Sequence, residues 1–166
     1  MSPSQELQSL SPDTIIELFE VDLRLIGQDI VLRFCNSQQA DDRAIVFGGQ
    51  VYQSWPIEAE GFEVTSQGSL PEPVISISNY QSALSALLLA YKPAGAKVTR
   101  RRIFAKHLDL GSSPNPAAEF PSDIFILDSW QENQLFCRFR LITELEYLRT
   151  NIPRRRVVAL RYGEEV

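Results

Sequence analysis

Short runs in which apolar and polar residues alternate fill most of this chain, and a period of two marks strands with one buried face. In Thr14 to Leu23, Ile15, Phe19, Val21 and Leu23 share one parity and Glu20 and Asp22 the other, which predicts a half-buried strand. Gly27-Gln28-Asp29 turns the chain, and Ile30 to Cys35 returns it. Ala44 to Phe47 and Gln50 to Ser54 flank Gly48-Gly49, and paired glycines supply the positive φ angles of a two-residue hairpin turn. Tyr52 and Trp55 are large enough to anchor a core. Pro56 has no N–H for a ladder, so the strand must end, bulge or lie on an edge there. Gly61 makes a second corner, and Phe62-Glu63-Val64 restarts the alternation.

Val74 to Ser78, Lys97 to Leu108, Ser122 to Trp130 and Leu135 to Thr143 continue the strand pattern. The last two read as a hairpin around Glu132-Asn133-Gln134, with Phe125, Leu127, Phe136 and Phe139 as core candidates. One stretch has helical spacing. Asn79 is placed to cap a helix from Tyr80 to about Tyr91, whose Leu84, Leu87, Leu88 and Tyr91 form one apolar face. Lys92-Pro93-Ala94-Gly95 stops it, Glu144 to Asn151 reads as a short helix or a loop, and Val157 to Leu160 as a last strand. The expected fold is therefore mainly β with one or two short helices, an α+β chain built on an antiparallel, barrel-like sheet. Residues 1–13, rich in Ser, Pro and Gln, read as an arm that is either disordered or ordered by a neighbour, and residues 14–163 as a single β-rich domain.

Composition narrows the function classes. The 166 residues suit one domain with an arm, 44% are hydrophobic and 22% charged, and the net charge is −5. That balance argues against non-specific binding to nucleic acid or to an anionic membrane. No apolar run approaches the roughly 18 residues of a membrane span, so stable membrane insertion is not expected. The first residues lack the charged and apolar regions of a signal peptide. Cys35 and Cys137 sit in apolar, strand-like settings and read as buried free thiols.

No catalytic constellation emerges. The single histidine, His107, stands in a predicted strand beside Asp109, but no nucleophile-elbow sequence accompanies it. One His and two Cys are too few for a structural zinc site or an iron–sulfur cluster, so no metal ligand and no cofactor is expected. No phosphate-binding glycine loop or dinucleotide fingerprint occurs. The charge that stands out is cationic. Arg100, Arg101 and Arg102 occupy both faces of one predicted strand, and Arg154, Arg155 and Arg156 follow Pro153. Solvated or interface-paired arginines are the expectation, since the planar guanidinium pairs with carboxylates and stacks on rings. Gly111 to Pro121, with three prolines, reads as an exposed excursion.

Several segments, in order, resemble the minor tail protein L family of long-tailed phages. Phe19-Glu20-Val21-Asp22-Leu23 is similar to its first strand, and Phe34-Cys35-Asn36 to its Phe-Cys-Asn. Gly49 to Tyr52, Trp55-Pro56-Ile57 and Gly61-Phe62-Glu63 resemble its Gly-x-x-Tyr, Pro-Ile and Gly-Phe-Glu elements. Val74 to Asn79, Arg100 to Asp109 and Ile152-Pro153 with the following arginines add further matches. In that family a cysteine-rich segment that holds an iron–sulfur cluster usually follows; no such cysteines occur here, so no cluster is expected.

The resemblance implies a non-enzymatic structural protein of a phage tail tip or baseplate hub. It implies a β domain like those of tail hubs, linking the distal tail protein to the central hub protein, as a homotrimer in the virion, after synthesis in the host cytoplasm. Expected interface residues are Tyr52, Trp55, Arg100, Arg101, Arg102, Arg154, Arg155 and Arg156. Two other classes stay open on residues alone. A cell-wall hydrolase would need a nucleophile, metal or exposed acids in a cleft. A receptor- or glycan-binding module would display aromatics such as Tyr52, Trp55 and Trp130.

Overall fold

A computed structural model describes residues 14–36, 45–63, 71–79, 83–133 and 135–151. Its strands are β1 (Ile15–Asp22), β2 (Val31–Cys35), β3 (Ile45–Phe47), β4 (Gln50–Ser54), β5 (Ile57–Glu60), β6 (Val74–Ser78), β7 (Lys97–Phe104), β8 (Asp123–Glu132) and β9 (Phe136–Ile142). Two short helices, α1 (Ala83–Tyr91) and α2 (Glu144–Asn151), complete a mainly β, α+β fold. The nine strands make one sheet in the order β3-β4-β2-β1-β7-β8-β9-β6-β5. Every pairing is antiparallel except that of β2 with β4, so the sheet is mixed.

The closed barrel is not found. Strands β4 and β5 are separated only by Trp55-Pro56, yet they pair at opposite sides of the sheet. The sheet must therefore curl until its two sides nearly meet. Trp55 N–H donates to the Cys35 carbonyl at 3.0 Å, and the Pro56 carbonyl accepts from Ser78 N–H at 3.0 Å. The corner thus hands the chain from β2 to β6. Beyond it β5 keeps β6 as its one strand neighbour among the described residues, and no ladder closes the ring.

Strands β1 and β7 are packed on both faces. On the inner face of the curl, Phe19, Phe34, Val98, Leu127 and Leu141 form a core with Leu84 and Leu88 of α1. On the outer face, Ile16, Leu18, Cys35 and Ile103 pack against Ile45, Phe47 and Tyr52 of the β3–β4 hairpin. The expected half-buried β1 is thus buried on both faces, at Ile16, Leu18 and Phe19, while Ile15 is exposed. Phe136, a predicted core residue, is 41% exposed because it lies on the outward parity of β9, whereas Phe125, Leu127 and Phe139 are buried. The predicted helix start at Tyr80 lies outside the described residues, and Asn79 meets α1 at Ser85, two residues beyond Ala83. Asn79 Oδ1 accepts from Ser85 N–H at 3.3 Å and its Nδ2 donates to the Asn133 carbonyl at 3.1 Å, tying α1 to the β8–β9 turn.

The β3–β4 turn has φ of 58° at Gly48 and 71° at Gly49, as a type I′ turn needs. Its two N–H groups converge on one carboxylate: Asp109 Oδ1 accepts from Gly48 at 2.9 Å and Oδ2 from Gly49 at 2.7 Å. Asp109 N–H also donates to the Val46 carbonyl at 3.1 Å. Asp109→Ala is expected to destabilise the fold by about 1 kcal/mol, since exposed hydrogen bonds to a charged group are replaced by water. Amide hydrogen exchange should speed up first at Gly48 and Gly49.

Candidate functional site

The expected strand Lys97–Leu108 ends at Phe104, where a 3₁₀ turn over Ala105–His107 begins. Gly111 fixes the following loop, because a Cβ there would lie 2.4 Å from the Lys106 carbonyl oxygen. His107 is buried, with Nδ1 2.8 Å from the Ser113 carbonyl oxygen and its ring edge-on to Phe104. The Asp109 carboxylate is bound by the two glycine N–H groups. These two side chains therefore shape the loop.

The three arginines of β7 occupy both faces, as their parity requires. On the inner face, Arg100 pairs with Glu17 of β1 and lies 3.5 Å from Asp123 of β8. Its guanidinium sits 4.2 Å above the centre of the Phe62 ring, a cation–π contact. Arg102 on the same face reaches Asp123 at 3.7 Å and lies over Phe120 at 5.8 Å. On the outer face, Arg101 Nη1 donates to both Glu119 oxygens at 2.9 Å, and its Nε lies 3.4 Å from Glu20. Glu17, Glu20, Glu119 and Asp123 escape a motif search because they belong to three separate stretches. The acidic residues of the first strand were readable in the sequence, but its pairing with the arginine strand was not.

Two loops are held by this cluster. The 111–121 loop is exposed over its first half, but Ala118 is buried and Phe120 N–H donates to the Arg102 carbonyl at 3.0 Å. The expected excursion is thus anchored at one end. After β5, Gly61 adopts φ 77°, and a Cβ there would be 2.9 Å from the Glu72 carbonyl oxygen. That turn delivers Phe62 edge-on to Phe125 at 5.4 Å and beneath Arg100.

Tyr52 is buried, and its hydroxyl donates to Glu20, the carboxylate that also faces Arg101. It can therefore reach a neighbouring chain only through those two side chains. Burial, and then the bond to Glu20, push the phenol above its ordinary range. Because the folded pKa exceeds the unfolded one, its contribution is complete below about pH 10 and is lost as pH rises further. Urea unfolding of wild type should thus weaken above pH 10 by up to about 1.4 kcal/mol per pH unit from this group. Tyr52→Phe should flatten that slope.

Trp55 is edge-on to Phe34 at 5.7 Å, and both it and Trp130 pack half-buried against the inner core. Neither forms an open aromatic platform. Arg154, Arg155 and Arg156 lie outside the described residues, as do residues 1–13 and the predicted strand Val157–Leu160.

Against known proteins, the phage minor tail protein L family matches residues 25–162, most of the chain. The chain belongs to the phage minor tail protein L family. It is 26% identical over 120 residues to "Tail tip protein L" of Escherichia phage lambda, covering 72% of this chain and 51% of that protein. It thus spans about half the length of that curated relative. As a member of the family it is a phage minor tail protein. The residues that carry the family resemblance have structural tasks: Gly49 the hairpin turn, Tyr52 the outer core, Pro56 the corner, Gly61 the left-handed residue, Phe62 the bed of Arg100.

The two thiols of this sequence do not by themselves make an iron–sulfur site. Such a site takes four thiolates, whereas Cys35 and Cys137 are buried in different cores. Among the described residues no group of three or more His, Cys, Asp or Glu could hold a metal ion. No helix among them is long and apolar enough to cross a membrane.

Proposed function

We propose that this tail protein is a component of the tail tip or baseplate hub that links the distal tail ring to the central hub, in three copies around the tail axis. Residues 14–163 are its single hub-type domain and residues 1–13 its arm. The observation that carries this reading is the use made of the polar residues. The arginines of β7 are spent on four carboxylates and two aromatic rings, which ties the described acids around them into the sheet. A rigid body suits a mechanical link. Its contacts are made by the arm, by the exposed half of the 111–121 loop, by Arg154–Arg156, and by the rims of the clusters around Arg101, Arg102 and Trp55. Tyr52 acts from beneath, by holding Glu20 in place. The protein acts without catalysis and needs no cofactor.

The test is the position and symmetry of the chain in intact particles by cryo-electron microscopy. Three copies between the distal ring and the hub are expected, and a location elsewhere in the particle would overturn the reading. Deleting residues 2–10 is expected to impair tail assembly at least about tenfold in plaque yield, the loss of roughly 1.4 kcal/mol of contact. Unimpaired assembly would remove the arm from the contacts.

A further inference from the structure

The two ends of the sheet are treated differently. Strand β3, at one end, has its outward Val46 carbonyl capped by Asp109 N–H. Strand β5, at the other end, has no such cap. The ladder alternation fixes which of its groups point outward. Pro56 and Ser78 form a hydrogen-bonded pair, so Glu58–Ser76 and Glu60–Val74 are the next bonded pairs. The N–H and C=O groups of Ile57 and Ala59 therefore face away from β6, and no described residue meets them. Unpaired edges recruit strands unless they are blocked, and short, covered or charged edges are the usual block. Here the strand and its turn carry charge of one sign: Glu58, Glu60 and Glu63 are all exposed, and among the described residues Glu60 has a basic partner, Arg138 at 3.3 Å. Open grooves flank the strand on both sides, of about 570 Å³ beside Glu58 and Phe136 and of about 550 Å³ beside Phe62 and Arg102.

Such an edge repels an acidic strand and accepts a basic one. This chain contains a segment of that chemistry. Residues 154–160, Arg-Arg-Arg-Val-Val-Ala-Leu, combine three cations with β-branched residues of high strand propensity. They follow α2, which leaves β9 by way of Thr143, at the end of β9 that lies level with Glu60 of β5.

We propose that the free edge of β5 is a strand-addition site occupied by residues 154–160 of a neighbouring copy of this chain. Ile57 and Ala59 supply the main-chain bonds, and Glu58 and Glu60 pair with the incoming arginines. The contact is head-to-tail: one copy gives its segment and offers its edge to another. Contacts of this type close into a ring when the rotation between copies completes a full turn. The proposal rests on the ring of copies proposed above, and it names the surface that makes that ring.

The test uses purified full-length chain and analytical ultracentrifugation at low and high salt. Wild type is expected to self-associate, more weakly at high salt. Glu58→Lys with Glu60→Lys, and separately Arg154→Glu with Arg156→Glu, should each weaken association roughly tenfold or more. Mixing the two reversed chains should restore it, because each then meets an edge of opposite charge. Ala59→Pro removes one outward N–H and keeps the β6 ladder, and should also block association while circular dichroism stays native. Wild type that remains monomeric would overturn the proposal. So would association indifferent to both reversals. Recovery of stability only when both reversals share one chain, with no association on mixing, would place the segment on its own edge and overturn it too. These outcomes are read from the isolated chain, so they stand apart from the particle imaging that tests the tail-tip location.

Discussion

Replacing Arg100 by alanine should lower folding stability by about 3 kcal/mol, measured by urea denaturation. The side chain is 13% exposed, and Glu17 and Asp123 depend on it at 21% and 31%. Its removal strands the Glu17 carboxylate, leaves Asp123 with Arg102 at 3.7 Å, and uncovers the Phe62 ring. Arg100→Lys keeps the charge without the planar fork and should recover less than half of the loss. Combining Arg100→Ala with Glu17→Gln and Asp123→Asn should cost less than the sum of the separate changes, since the stranded charges are then gone. Strict additivity would show that the cluster is not coupled.

Gly61→Val should cost about 2 to 3 kcal/mol, because a β-branched residue is strained at φ 77° and its Cβ would meet the Glu72 carbonyl oxygen at 2.9 Å. The loss should come with displacement of Phe62, readable as faster hydrogen exchange in the residues that follow β5. Gly48→Ala, at φ 58° but with nothing within 4 Å of the added Cβ, should cost less, about 1 kcal/mol. The comparison separates backbone strain from the close approach that is special to Gly61.

The strands were readable because stretches such as Val74–Ser78 and Phe136–Leu141 alternate between a drier and a wetter face. The Gly48-Gly49 turn and the Pro56 corner were readable for a local reason: each demands a backbone that few residues tolerate. What the sequence hid is long-range. Ile16 and Leu18 share a parity with Glu20, so β1 looked half-exposed until the β3–β4 hairpin was seen to cover that face. The parallel β2–β4 pairing and the open β5 edge follow from where Pro56 sends the chain, which no local pattern encodes. At the candidate site the arginines were visible and their partners were not. Glu17, Glu119 and Asp123 come from segments up to about a hundred residues apart, joined only by the order of the strands.

The packing of β1 and β7 on both faces gives each face its own native reporter. Cys35 belongs to the hairpin side and Cys137 to the helix side, and both are buried. Their rates of thiol labelling therefore clock the opening of two separate compartments. If docking in the tail tightens one compartment and loosens the other, the two alkylation rates will move in opposite directions, with no engineered probe in the protein.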